Sequence, residues 1–151
     1  MTLARYHGVV RRRCVAINPE LEQPMPLARI DLVRGKSAEY RQAIGKAVYD
    51  ALLSIGVPED DRFQIITEHE PANFIFAKSY LGIEHTGDLV MIQITFNEGR
   101  TTAQKKTLFK AIADGIHGAT GLRIGDVFVS LVEVKRENWS FGNGVAQYVS
   151  A

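Results

Sequence analysis

A doubled pattern constrains this chain more than any single motif. Ile30, Gly35, Lys36, Ser37 and Ala47 recur as Ile94, Gly99, Arg100, Thr101 and Ala111 at an offset of 64. One inserted residue later, Gly56, Asp61 and Phe63 recur as Gly121, Asp126 and Phe128. Two copies are too few for a solenoid, so the repeat implies two supersecondary units packed about a pseudo-twofold axis.

Each unit reads strand, helix, strand. Residues 27–33 and 89–96 are β-rich runs that end in turn signals at Gly35 and Gly99. Ser37 and Thr101 stand where helix N-caps belong, and Gln104 completes a capping box with Thr101. Tyr40, Ile44, Ala47, Val48, Ala51 and Ile55 mark one helix at a 3.6-residue period, and Leu108, Ile112, Ile116 and Ala119 mark the other. Gly56 and Gly121 are natural stops, and strands resume at 63–67 and 127–134. Parallel strands joined by a helix need a right-handed crossover, and a twofold sets the two units antiparallel to each other. The expected fold class is therefore α+β, a four-stranded mixed sheet with both helices on one face. The other face is left to be covered, which makes association the simplest remedy.

The expected organisation is a leader at 1–25 outside the core and a single domain over 26–151. Within it lie repeat one at 26–68, a linker at 69–88, repeat two at 89–134 and a C-terminal hairpin at 135–151. The 151 residues carry a formal charge of +1, and the leader holds four Arg against two Glu, so the body is nearly neutral and has no nucleic-acid footprint. No apolar run approaches the ~18 residues of a membrane span. The single cysteine, Cys14, excludes an internal disulfide framework and favours a cytosolic setting. Arg11-Arg12-Arg13 reads either as part of a tag-like or untranslated leader or as a working arm.

Met25-Pro26 looks like a second beginning. Translation from Met25, with removal of the methionine, would give Pro26 a free secondary amine; within the longer chain the same nitrogen is a tertiary amide with no proton and no basicity. The topology then gathers a site. Pro26 opens the first strand, Asp61 precedes its parallel neighbour, and Arg100 follows the antiparallel third strand, so all three are expected at one end of the sheet. The pseudo-symmetric end would hold Val90, Asp126 and Lys36 and no amine, leaving one competent site per chain.

Each residue also has a plainer reading. Pro26 opens strands as prolines do, Asp61 serves a turn or a surface ion pair, and Arg100 is a solvated cation beside a capping threonine. Trp139 and Phe141 anchor a core or an interface, and Tyr49 packs a helix. His69 and His85, near Glu68, Glu70, Glu84 and Asp88, have no tight metal-ligand spacing.

Met25-Pro26-Leu27-Ala28-Arg29-Ile30-Asp31-Leu32, the turn from Gly56 to Phe63, Gln104-Lys105-Lys106 and the segment from Asn138 to Gly144 together resemble the tautomerase superfamily. The match is to its malonate semialdehyde decarboxylase-like branch of long, fused subunits, and it spans Pro26 to about Tyr148. The resemblance implies a homotrimer of β-α-β repeats that works without cofactor or metal on a small carboxylate substrate. It further implies Pro26 as catalytic base or acid, Asp61 as the assisting carboxylate and Arg100 as the carboxylate clamp. Tyr49, Trp139 and Phe141 fall at positions that would line the substrate. The chain departs from the branch at Glu98, where a second arginine is expected and a carboxylate would repel an acidic substrate. The expected activity is keto-enol isomerisation of small 2-keto acids. The alternatives are decarboxylation or hydration of a 3-oxo or unsaturated acid, or a catalytically silent oligomeric binding protein if the leader is retained.

Overall fold

The computed structural model describes residues 25–149, so the leader expected at 1–25 lies almost wholly outside the described residues. Strand β1 (Leu27–Val33), helix α1 (Ala38–Ser54) and strand β2 (Phe63–His69) form the first unit. Two short strands, β3 (Ser79–Tyr80) and β4 (Ile83–Glu84), follow. Strand β5 (Val90–Asn97), helix α2 (Thr102–Thr120) and strand β6 (Val127–Val134) repeat the first arrangement.

The helix boundaries have local causes. Ser37 accepts the Tyr40 N–H at 3.1 Å, and Thr101 and Gln104 form the reciprocal capping box. Helix α2 stops at Gly121, whose φ of +76° is a left-handed conformation that costs glycine nothing.

The sheet order is β2-β1-β5-β6. Outer strands run parallel to their inner neighbours, while β1 and β5 are antiparallel, with Leu27 opposite Thr95 and Ile30 opposite Ile92. Alternation then sorts the side chains. Ala28, Ile30, Leu32, Val90, Ile92, Ile94 and Phe96 are buried with Ile44, Val48, Leu52, Leu108, Ile112 and Ile116 of the helices. Each such large side chain contributes roughly 1.5–3 kcal/mol. The helices approach closely because small residues meet: a Cβ on Gly115 would lie 3.4 Å from the Ala47 Cβ.

Among the described residues nothing covers the opposite sheet face. Phe63 remains 51% exposed and Phe128 46% exposed, the kind of apolar surface that marks an association site. None of the helices among the described residues is long and apolar enough to cross a membrane.

Two expectations about the connections change. The linker contains a hairpin, β3 paired with β4 through Leu81 and Gly82, both at positive φ. The C-terminal segment forms no strand pair among its described residues. It closes instead through the Gln147 amide, which accepts the Phe141 N–H at 3.0 Å and donates to the Gly142 carbonyl at 2.9 Å.

Candidate active site

Pro26 precedes β1 and is buried. Because Leu27 faces Phe63 on one side and Thr95 on the other, stepping back one residue sets Pro26 between the positions of Arg62 and Phe96. Asp61 and Arg100 flank those positions. The loop Val57-Pro58-Glu59-Asp60 ends with the Asp61 N–H donating to the Pro58 carbonyl at 3.1 Å, which turns the chain inward before β2.

Asp61 is only 6% exposed, and neither carboxylate oxygen accepts a hydrogen bond. Burial without donors disfavours the anion and raises its pKa from 3.8 to about 6. Such a group is costly to a fold unless a ligand or a reacting group meets it. The pseudo-repeat supplies the contrast. Asp126 is fully buried, but it accepts the Thr86 N–H and the Thr86 hydroxyl, each at 2.7 Å, and Arg123 lies 3.6 Å away. Lys36, the counterpart of Arg100, is paired with Asp88 at 2.8 Å.

Arg100 folds back over the Phe96 ring, its guanidinium carbon 4.2 Å from the centroid. Nη1 donates to the Asn97 carbonyl at 3.2 Å. Burial lowers its pKa from the ordinary arginine value, and the negative charge of Glu133 opposes that shift. Glu98 is exposed at the same strand end, its N–H donating to the Val134 carbonyl.

The C-terminal segment supplies an aromatic wall. Trp139 Nε1 donates to Asn97 Oδ1 at 2.8 Å, which ties the segment to the end of β5. The Trp139 and Phe141 rings stack at 5.5 Å, and Phe141 meets Tyr148 edge-on at 5.1 Å. Tyr148 hydrogen-bonds Asn97 and senses the Asp61 charge. Its pKa is raised first by burial and then by Asp61, while Arg136 and the Asn97 bond act the other way.

Pro26, Asp61, Arg100, Trp139 and Phe141 thus belong to one end of the sheet. Tyr49 has a different setting: its hydroxyl donates to the Glu59 carbonyl at 2.5 Å, and Arg62 stacks on its ring at 4.7 Å. It braces the loop that carries Asp61, with its polar atom already engaged. Asn97 and Tyr148 are the members that sequence reasoning missed. Asn97 offered one signal, a polar residue at the end of an apolar strand; Tyr148 offered none, since its place depends on how the tail turns. Elsewhere, His69 pairs with Asp31, and His85 and His117 bond the carbonyls of Gly125 and Leu122.

Two family models, each described as tautomerase enzyme, match residues 61–142 and 26–83. The chain belongs to the tautomerase superfamily. It is 40% identical over 126 residues to a Bacillus subtilis (strain 168) protein named "Probable tautomerase YusQ", a match covering 83% of this chain and 99% of that one. A malonate semialdehyde decarboxylase inhibited by 3-bromopropiolate is 40% identical, with a TM-score of 0.75 over 81% of this chain and 93% of its own. A fused 4-OT solved as a symmetric trimer is 25% identical, with a TM-score of 0.66 over 81% of this chain and 97% of its own. These likenesses set this tautomerase-family enzyme in the malonate semialdehyde decarboxylase-like branch. The second model begins at Pro26, and the first spans Asp61, Arg100, Trp139 and Phe141.

Proposed function

We propose that this enzyme interconverts the keto and enol forms of small 2-keto acids without a cofactor, using the amine of Pro26 as the proton carrier. The observation that carries this reading is the buried Asp61 carboxylate with neither oxygen hydrogen-bonded, at the sheet end where β1 begins. An ammonium or a substrate hydroxyl is the donor such a group lacks.

The chemistry requires a chain that begins at Pro26. Its amine, with an ordinary pKa near ~8, is drawn toward neutrality by burial and accepts the enol hydroxyl proton. As the C2–O bond becomes a carbonyl, the same nitrogen delivers a proton to C3 and the C2=C3 double bond is lost. Asp61 steadies the transient ammonium, and Arg100 holds the substrate carboxylate in a forked pair. Trp139 and Phe141 exclude water and weaken the solvation that would otherwise fix the amine as a cation. Tyr49 serves as a positioning residue through Glu59. The uncovered sheet face and the trimeric 4-OT relative support a homotrimer.

A chain beginning at Pro26 is expected to ketonise phenylenolpyruvate, followed by loss of enol absorbance, at least about 100-fold faster than the 151-residue chain, the scale of positioned acid-base catalysis. Equal rates would remove the amine mechanism. The 40% identical decarboxylase favours a second reading, loss of CO2 from a 3-oxo acid. In that case the protonated amine would take up developing negative charge, and CO2 release from malonate semialdehyde would exceed ketonisation under the same conditions.

A further inference from the structure

The cations at the active-site end differ in how far they are committed. Lys105 is paired with Glu133. Arg100 is half-buried, lies on Phe96, donates to a backbone carbonyl and shares the field of Glu133. Arg136 is in none of the ion pairs formed among the described residues, and it is exposed. It stands two residues past the end of β6, where Val134 is opposite Asn97. Its guanidinium carbon lies 5.7 Å from the centroid of the Tyr148 ring. Tyr148 in turn bonds Asn97, closes on Phe141 and senses Asp61.

We infer that Arg136 is a specificity-determining residue at the rim of the Pro26 site, drawing carboxylate ligands in and holding them over the Tyr148 ring. This inference rests on the acid-substrate reading above but concerns binding rather than turnover. Asp61 and Glu98 are carboxylates of this end outside the ion pairs formed among the described residues, and both oppose an anionic ligand. Arg100 must overcome them from a half-buried position within the field of Glu133. A second guanidinium on the approach path would offset them; Arg136 is exposed and outside the ion pairs formed among the described residues, whereas Arg62, beside Asp61, is held by Gln64 and the Tyr49 ring. The 5.7 Å approach of the Arg136 guanidinium carbon to the Tyr148 centroid, within cation–π range, biases the side chain toward this end of the sheet. The geometry also sorts ligands by charge: a neutral isostere meets the same aromatic wall without the attraction.

The test needs no turnover. Trp139 is the single tryptophan of the chain, so its fluorescence reports occupancy at this wall in the full 151-residue protein. Phenylacetate and its neutral isostere phenylacetamide serve as unreactive probes. In low salt, Arg136→Gln is expected to weaken phenylacetate by about 2- to 5-fold, the range of a single rim charge pair. Phenylacetamide binding stays unchanged, and Arg136→Lys recovers most of the loss. Near ~1 M salt the difference between wild type and Arg136→Gln vanishes. Equal weakening of both probes would reduce Arg136 to a packing residue for Tyr148. An unaltered phenylacetate affinity, or no saturable phenylacetate binding to the wild type, would overturn the inference. Failure of the proton-transfer reading would appear separately, as intact charge-selective binding with no difference in turnover between the two chain starts.

Discussion

Replacing Asp61 by asparagine is expected to make the 151-residue protein more stable at neutral pH. The carboxylate is buried without a hydrogen-bond donor, and its pKa stands near 6 rather than 3.8. A raised carboxylate pKa means that the folded state binds the proton more tightly than the unfolded chain does. That favourable contribution is complete below about pH 4 and is lost as pH rises through 6. Two units correspond to about 3 kcal/mol as an upper limit. Dielectric relaxation around a group this near the surface leaves on the order of 1–2 kcal/mol.

Asparagine has nearly the same shape and no charge to bury. Urea denaturation at fixed protein concentration should therefore show Asp61→Asn more stable than wild type by about 1–2 kcal/mol at pH 7.5. The gap should close by pH 4, where wild-type Asp61 is itself protonated. In a chain that begins at Pro26 the sign should weaken or reverse, because an ammonium beside the carboxylate offsets its desolvation. Ketonisation by that shorter chain should fall by at least about 100-fold. A variant less stable than wild type at pH 7.5, or a difference that does not change with pH, would refute the view of Asp61 as an uncompensated buried anion.

Asp126→Ala should behave in the opposite way, losing about 1–3 kcal/mol at pH 7.5 because Thr86 is left with unanswered donors. Its activity per folded molecule should hold; a stable variant with lost activity would contradict a purely structural role. Under the proposed trimer, Phe63→Glu on the sheet face opposite the helices should lower the mass in light scattering to that of the single chain while the far-UV spectrum is kept. An unchanged mass would show that this face is not the subunit contact.

The architecture was legible because the repeat couples residue types to backbone demands. Ser37 and Thr101 cap, Gly121 turns left-handed, and Ile30 and Ile94 fill one core, so each signal in one unit corroborates the other. Register then followed from topology, and with it the meeting of Pro26, Asp61 and Arg100 at one end. The linker hairpin escaped because its strands are two residues long and Leu81 occupies a positive φ of 50° where asparagine or glycine would have announced the turn. The tail differs from the expected hairpin, since no strand follows β6 among the described residues. It is held by ring stacking and one glutamine amide, contacts with no sequence period. The setting of Tyr49 has a simpler cause. This residue follows Val48 by one residue, which is 100° around the helix, and that step carries it from the core to the loop bearing Asp61.

The two aspartates differ in what the fold gives them to bind, which under the proposed chemistry would leave one working site after duplication. Both follow the same helix-stop glycine and both are buried, so the fold alone demands a carboxylate at neither. At the second end the demand is local: Thr86 presents two donors, and Asp126 answers both. At the first end neither Asp61 oxygen accepts a hydrogen bond among the described residues, which costs stability. A buried acid with no hydrogen-bond partner is disfavoured by folding, and the proposed proton transfer at Pro26 would give it a use. The aromatic segment from Trp139 to Tyr148 closes over that end through Asn97. The two ends therefore differ in donors and covers added to a symmetric frame, with the sheet supplying position and, under the proposed function, the loops supplying chemistry.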